Sequence, residues 1–93
     1  MAEIRIPKSL RDEIEEIQPD IKQRVKSKLQ DAAKEPEHYL EPLTGYNYYK
    51  IRSGDYRVIV GWNREEEIIY VLEFGHRDGV YDSLDRLPDV EEL

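Results

Sequence analysis

Cysteine is absent from the 93-residue chain, which excludes disulfides and thiolate metal sites and points away from a bridge-stapled secreted mini-protein, toward the reducing cytoplasm. Histidine occurs only at positions 38 and 76, so no metal-ligating set is expected. The five glycines fall at 45, 54, 61, 75 and 79 and never reach the GxGxxG or GxxxxGK spacing that cradles phosphates. Serines 9, 27, 53 and 83 never fall in GxSxG, so a hydrolase elbow is missing. No run approaches the roughly 18 apolar residues of a membrane span, and MAEIRIPKSL holds no signal-type apolar stretch. A soluble protein without membrane association is expected.

Positive charge is also scarce. Fourteen Lys and Arg face 21 Asp and Glu, a net charge of −7, which disfavours indiscriminate nucleic-acid binding because phosphate affinity comes from cations that displace counterions. The deficit is uneven. Six acids against one arginine lie from Asp78 to Leu93, so residues 1–77 carry only −2. The body is nearly neutral and the tail is acidic.

A chain of this length forms one domain with a thin core, since a small domain buries only about 60% of its unfolded surface. Seven tyrosines are expected to carry much of the packing. In EIRIP, Ile4 and Ile6 alternate with Glu3 and Arg5, a short strand closed by Pro7. Leu10, Ile14 and Ile17 then recur at helical spacing, with acids on the opposite side. Pro19 stops that helix and opens the next, whose apolar stripe is Ile21, Val25, Leu29, Ala32 and Ala33, ended by Pro36. The two form a helical hairpin that should lie on a sheet.

Glu35 to Gly45 reads as an irregular connection. Strands follow at Asn47–Arg52, Tyr56–Trp62 and Ile68–Phe74, the first two joined at Ser53-Gly54-Asp55. The expected class is therefore α+β: an N-terminal strand, a two-helix hairpin, then a three-stranded antiparallel meander. Residues 1–82 form the domain and 83–93 an acidic tail, in which Leu84 and Leu87 are placed to pack back onto the body.

The stretch EFGHRDGVYD delivers a histidine, an arginine and a tyrosine together just after the last strand. Lys50 and Arg52 project from one face of the first meander strand, and Arg57 begins the next across a tight turn. If the last strand ends near that hairpin, His76, Arg77 and Tyr81 join them. Each residue also has a plainer role. Strand lysines and arginines often guard edges, loop histidines are often solvated, and tyrosines pack. Arg57 sits in an interior strand, where an unpaired guanidinium is expensive, so it either pairs with Asp55 or Glu73 or faces a pocket. The tyrosines at 46, 48 and 49 read first as packing, yet an aromatic ring beside cations is also what base stacking requires.

In combination, LTGYNYYKIRSGDYRVIV followed by VLEFGHRDGVY, behind a strand and a helical hairpin, resembles the RelE branch of the RelE/ParE toxin superfamily over roughly residues 2–82. The resemblance implies a metal-independent, cofactor-free endoribonuclease that cleaves mRNA, in relatives within the ribosomal A site, with a cognate antitoxin as partner. It implies 2′-hydroxyl attack on the adjacent phosphorus. Lys50 matches the base and Arg52 a phosphate contact, with Tyr48 at a neighbouring RNA-binding position. Arg57 matches the arginine that stabilises the phosphorane, Arg77 a cation proposed as acid, and Tyr81 the residue that orients the substrate. His76 is the better proton donor by its ordinary acidity, so the acid role is expected there. The acidic tail and the tyrosine at position 48, where some relatives have lysine, depart from the pattern. The alternative is a non-catalytic, ParE-like member that binds a protein such as gyrase, or only an antitoxin.

Overall fold

The computed structural model describes residues 1–93. Strand β1 (Glu3–Arg5) leads into helices α1 (Lys8–Glu16) and α2 (Pro19–Lys34), then a single helical turn α3 (Pro36–Tyr39). Strands β2 (Glu41–Pro42), β3 (Tyr49–Ser53), β4 (Tyr56–Asn63) and β5 (Ile68–His76) follow, and short 3₁₀ segments occupy Val80–Arg86 and Val90–Glu92. The strands form one sheet in the order β1-β5-β4-β3-β2.

The helical hairpin forms where the sequence period places it. Pro19 occupies the first turn of α2, where its missing N–H costs nothing. Leu10 and Ile14 of α1, with Val25, Leu29, Ala32 and Ala33 of α2, are buried. Most of them pack on the inner faces of β3, β4 and β5, with Ile51, Val58, Val60, Ile69, Val71 and Phe74. The hairpin β3–β4 closes through Gly54 at φ +59°, the positive angle that a two-residue turn asks of its first central residue.

The meander is part of a larger sheet than the pattern suggested. β1 pairs in parallel with β5, Ile4 opposite Ile69. The expected irregular connection contains α3 and the two-residue β2, which pairs with Tyr49 and Lys50. β5 also runs two residues past Phe74, to His76. Along it, Ile59 faces Glu73 while Val60 faces Val71, so Leu72 is an extra residue. This bulge reverses the side-chain alternation beyond it.

A smaller apolar cluster lies on the sheet's outer face, where Tyr48, Ile59, Val80 and Leu84 meet Leu43, Leu72, Tyr81 and Leu87. The tail thus folds back across the sheet. Its approach depends on Gly61, because a Cβ there would sit 2.3 Å from a γ-methyl of Val90.

Candidate nucleic-acid site

Tyr49 and Ile51 point into the helix-side core, so alternation sends Lys50 and Arg52 to the outer face. The register sets Arg52 directly opposite Arg57 and Lys50 opposite Ile59. Arg57 is half-buried, with Nη1 donating to the carbonyls of Gly54 at 2.7 Å and Tyr56 at 2.8 Å. It has no carboxylate partner, and neither has Lys50, whose Nζ lies 5.9 Å from the centre of the Tyr81 ring. That separation is within reach of a cation–π attraction. Of the two outcomes open for Arg57, pairing with Asp55 or Glu73 is the one not found.

Arg52 and Arg77 are differently placed. Arg52 Nε is ion-paired with Glu41 Oε2 at 3.0 Å. The Arg77 backbone N–H donates to the Asp55 carbonyl at 2.8 Å, which ties the chain after β5 to the β3–β4 turn. Its guanidinium stands 3.8 Å from Asp55 and 3.9 Å from Asp78, too long for hydrogen bonds, and it is exposed, so these contacts hold it weakly.

Two expected members of the site lie elsewhere. His76 pairs across the sheet with Tyr56, and its ring meets that of Tyr56 edge-on at 5.7 Å. Tyr56 in turn stacks on Phe74 at 5.4 Å within the helix-side core. The bulge at Leu72 therefore carries His76 to the side of the sheet away from Lys50, and the general-acid role expected for it loses its geometric support. Its Nδ1 accepts the Asp78 N–H at 3.2 Å. Tyr48 is on the correct face but only 8% exposed. Its hydroxyl donates to the carbonyls of Leu87 at 2.7 Å and Pro88 at 3.2 Å, so its ring is sealed under the tail and offers no open surface to a base.

The tail also sets the titration of this corner. Burial first, then the charges of Asp89 and Glu92, push the Tyr48 phenol above its ordinary value. The hydrogen bond from Tyr46 to Asp85 does the same for Tyr46, which stacks on Tyr48 at 6.1 Å. One residue was not legible as part of the site: Arg24 of α2, whose guanidinium approaches Gly54 in the turn. No motif marks it, because a helix-to-turn contact is purely tertiary.

A sheet of this order, backed by a helical hairpin, defines an α+β fold of RelE type. Solved structures agree. The RelBE2 toxin–antitoxin complex from Mycobacterium tuberculosis matches at a TM-score of 0.71 and 23% identity, covering 82% of this chain and 98% of the matched one. The archaeal RelE–RelB complex from Pyrococcus horikoshii gives 0.71 and 23%, with coverages of 85% and 98%. The intact E. coli RelBE complex gives 0.68 and 22%, with 82% and 96%. No curated protein matches the sequence. The family model for the ParE toxin of type II toxin–antitoxin systems matches residues 4–81. The chain belongs to that family, within the RelE/ParE superfamily, and is thus a toxin of a type II toxin–antitoxin system.

Proposed function

We propose that the protein is a metal-independent endoribonuclease of a toxin–antitoxin pair, acting on mRNA in the ribosomal A site and held silent by a cognate antitoxin in the cytoplasm. The observation that carries this reading is that Lys50 and Arg57, on adjacent strands of one face, have no carboxylate partner, and that Lys50 stands beside Tyr81. In its neutral form, Lys50 Nζ accepts the proton of the 2′-hydroxyl as the 2′-oxygen attacks phosphorus. Arg57, already oriented by two carbonyls, donates to the equatorial oxygens where negative charge develops, the kind of preorganised stabilisation that dominates such reactions. Arg77 swings from its loose contacts with Asp55 and Asp78 to the leaving 5′-oxygen, which takes its proton from water. Arg52 contacts a flanking phosphate after exchanging Glu41 for it, and Tyr81 orients the nucleotide. The products are a 2′,3′-cyclic phosphate and a free 5′-hydroxyl.

A second reading, a toxin that inhibits a protein target, draws support from the acids beside Arg77 and Arg52. Induced expression of the wild type and an Arg57→Ala, Arg77→Ala double variant, followed by primer extension on a translated message, separates the two. Growth arrest with cuts only in the wild type supports the nuclease. Arrest by both proteins without cuts supports the protein target.

A further inference from the structure

The cations without carboxylate partners do not end at the outer face. Around the β3–β4 turn, Gly54 is flanked on two sides: Arg57 Nη1 bonds its carbonyl at 2.7 Å, while Arg24 Nη1 stands 3.7 Å from the position a Cβ would take. Arg24 is exposed on α2 and has no carboxylate partner. One helical turn further, Lys28 shares its face. Its Nζ lies 5.5 Å from the Tyr39 ring centre, and it lines a hollow of about 240 Å³ together with Arg52, His38, Tyr39 and Glu41. β2 pairs only with Tyr49 and Lys50, so from Ile51 to Ser53 the outer edge of β3 has no neighbouring strand. At its end the Ser53 hydroxyl is buried without a hydrogen-bond partner.

We infer that Arg24 and Lys28 form a second phosphate-binding subsite, over which a single RNA strand passes around the free edge of β3 after leaving Lys50 and Arg57. The inference rests on the nuclease reading and extends it, naming the part of the substrate held beyond the scissile bond. In a chain of net charge −7, continuous phosphate contacts require cations that are locally in excess. The path from Lys28 past Arg24 to Arg57 supplies them on two elements, α2 and β4, with Glu41 as the one acid in the hollow. Arginine suits the turn position, because its planar fork matches phosphate oxygens in pairs. The rings of Tyr39 and His38, edge-on at 4.8 Å, give an unpaired base an aromatic surface beside Lys28.

The test is fluorescence anisotropy with a short single-stranded RNA methylated at every 2′-oxygen, which blocks attack and isolates binding, alongside primer extension on a translated message, which reads cleavage on the ribosome. Arg24→Gln and Lys28→Gln keep the helix and much of each aliphatic stem. Each is expected to weaken binding about three- to ten-fold at low salt and to shrink the salt slope by about 0.7. Arg64→Gln is the charge control. It lies at the opposite end of β4, over the Trp62 ring, and should leave affinity unchanged. Equal losses in Arg64→Gln and Arg24→Gln would reduce the subsite to bulk charge and overturn it. A wild type that binds and cleaves, with Arg24→Gln matching it in both, overturns the subsite alone. A wild type that cuts the translated message but does not bind the free strand also overturns the subsite alone, and one that does neither removes the nuclease reading and the subsite together.

Discussion

The outer face of the sheet is divided between two halves that follow one alternation and meet opposite fates. Toward Gly61 it is apolar and covered: Ile59 and Tyr48 lie under Val80, Leu84 and Leu87, and the missing side chain at Gly61 admits Val90. Toward Gly54 it carries Arg57 and Lys50, which no carboxylate neutralises, and the tail does not cross them. The contrast teaches why the boundary falls between them. Covering apolar surface is favourable at about 25 cal/mol per Å², whereas covering an unpaired guanidinium would strip it of water without compensation. The acidic tail therefore docks by its leucines and valines, and its charges remain at the rim.

The largest effect should come from the open half. Arg57→Ala removes the cation best placed for the phosphorane, and cleavage is expected to fall about 100- to 1,000-fold, the range seen when one preoriented donor is lost. The truncation removes hydrogen bonds to two carbonyls but no core side chain, so thermal stability should shift little. A melting temperature that collapses along with activity would mean that Arg57 serves the turn rather than a substrate.

Gly61→Ala attacks the covered half. Its methyl would lie 2.3 Å from a Val90 γ-carbon, so the tail must yield, and overpacking of this kind costs about 1–3 kcal/mol. Protease cutting within residues 83–93 should increase. Releasing the tail's acids from the outer face should also raise RNA affinity a few-fold at low ionic strength, an effect that vanishes once salt shortens the screening length to about 3 Å. Unchanged affinity at low salt would show that the two halves are electrostatically independent.

How much of this division was legible follows from what each feature depends on. Helices α1 and α2 and the hairpin β3–β4 rest on local periods and on Pro19 and Gly54, and they are where those residues put them. The facing of Lys50, Arg52 and Arg57 followed from strict alternation. The position of His76 did not, because nothing in VLEFGH marks Leu72 as the residue to be skipped. Only pairing with β4 creates the bulge. Strand β2 is two residues of a proline-containing stretch, which gains strand geometry solely from its neighbour. A stacking role stayed open for Tyr48 beside packing because its partners, Leu87 and Pro88, lie about forty positions away, beyond any local pattern.

A smaller effect is expected from Tyr48→Phe, which keeps the ring over Ile59 and deletes the bonds to Leu87 and Pro88. Leaving those carbonyls to water or unpaired should cost about 1 kcal/mol, read as a lower denaturant midpoint with an unchanged slope. The same hydroxyl gives the covered half a pH dependence of definite sign. Burial and the acids at 89 and 92 raise the folded-state pKa of Tyr48 above the unfolded value of about 10. The neutral phenol is therefore the form that docking favours. Its contribution is complete below about pH 10 and is lost as pH climbs through the folded value. Alkaline titration should loosen the tail before the helix-side core, seen as earlier exchange of the Leu84 and Val90 amides than of Val58. Lysines titrate in the same range, so the decisive quantity is the difference between wild type and Tyr48→Phe. Identical alkaline profiles in the two proteins would show that the tail is held by its apolar contacts alone.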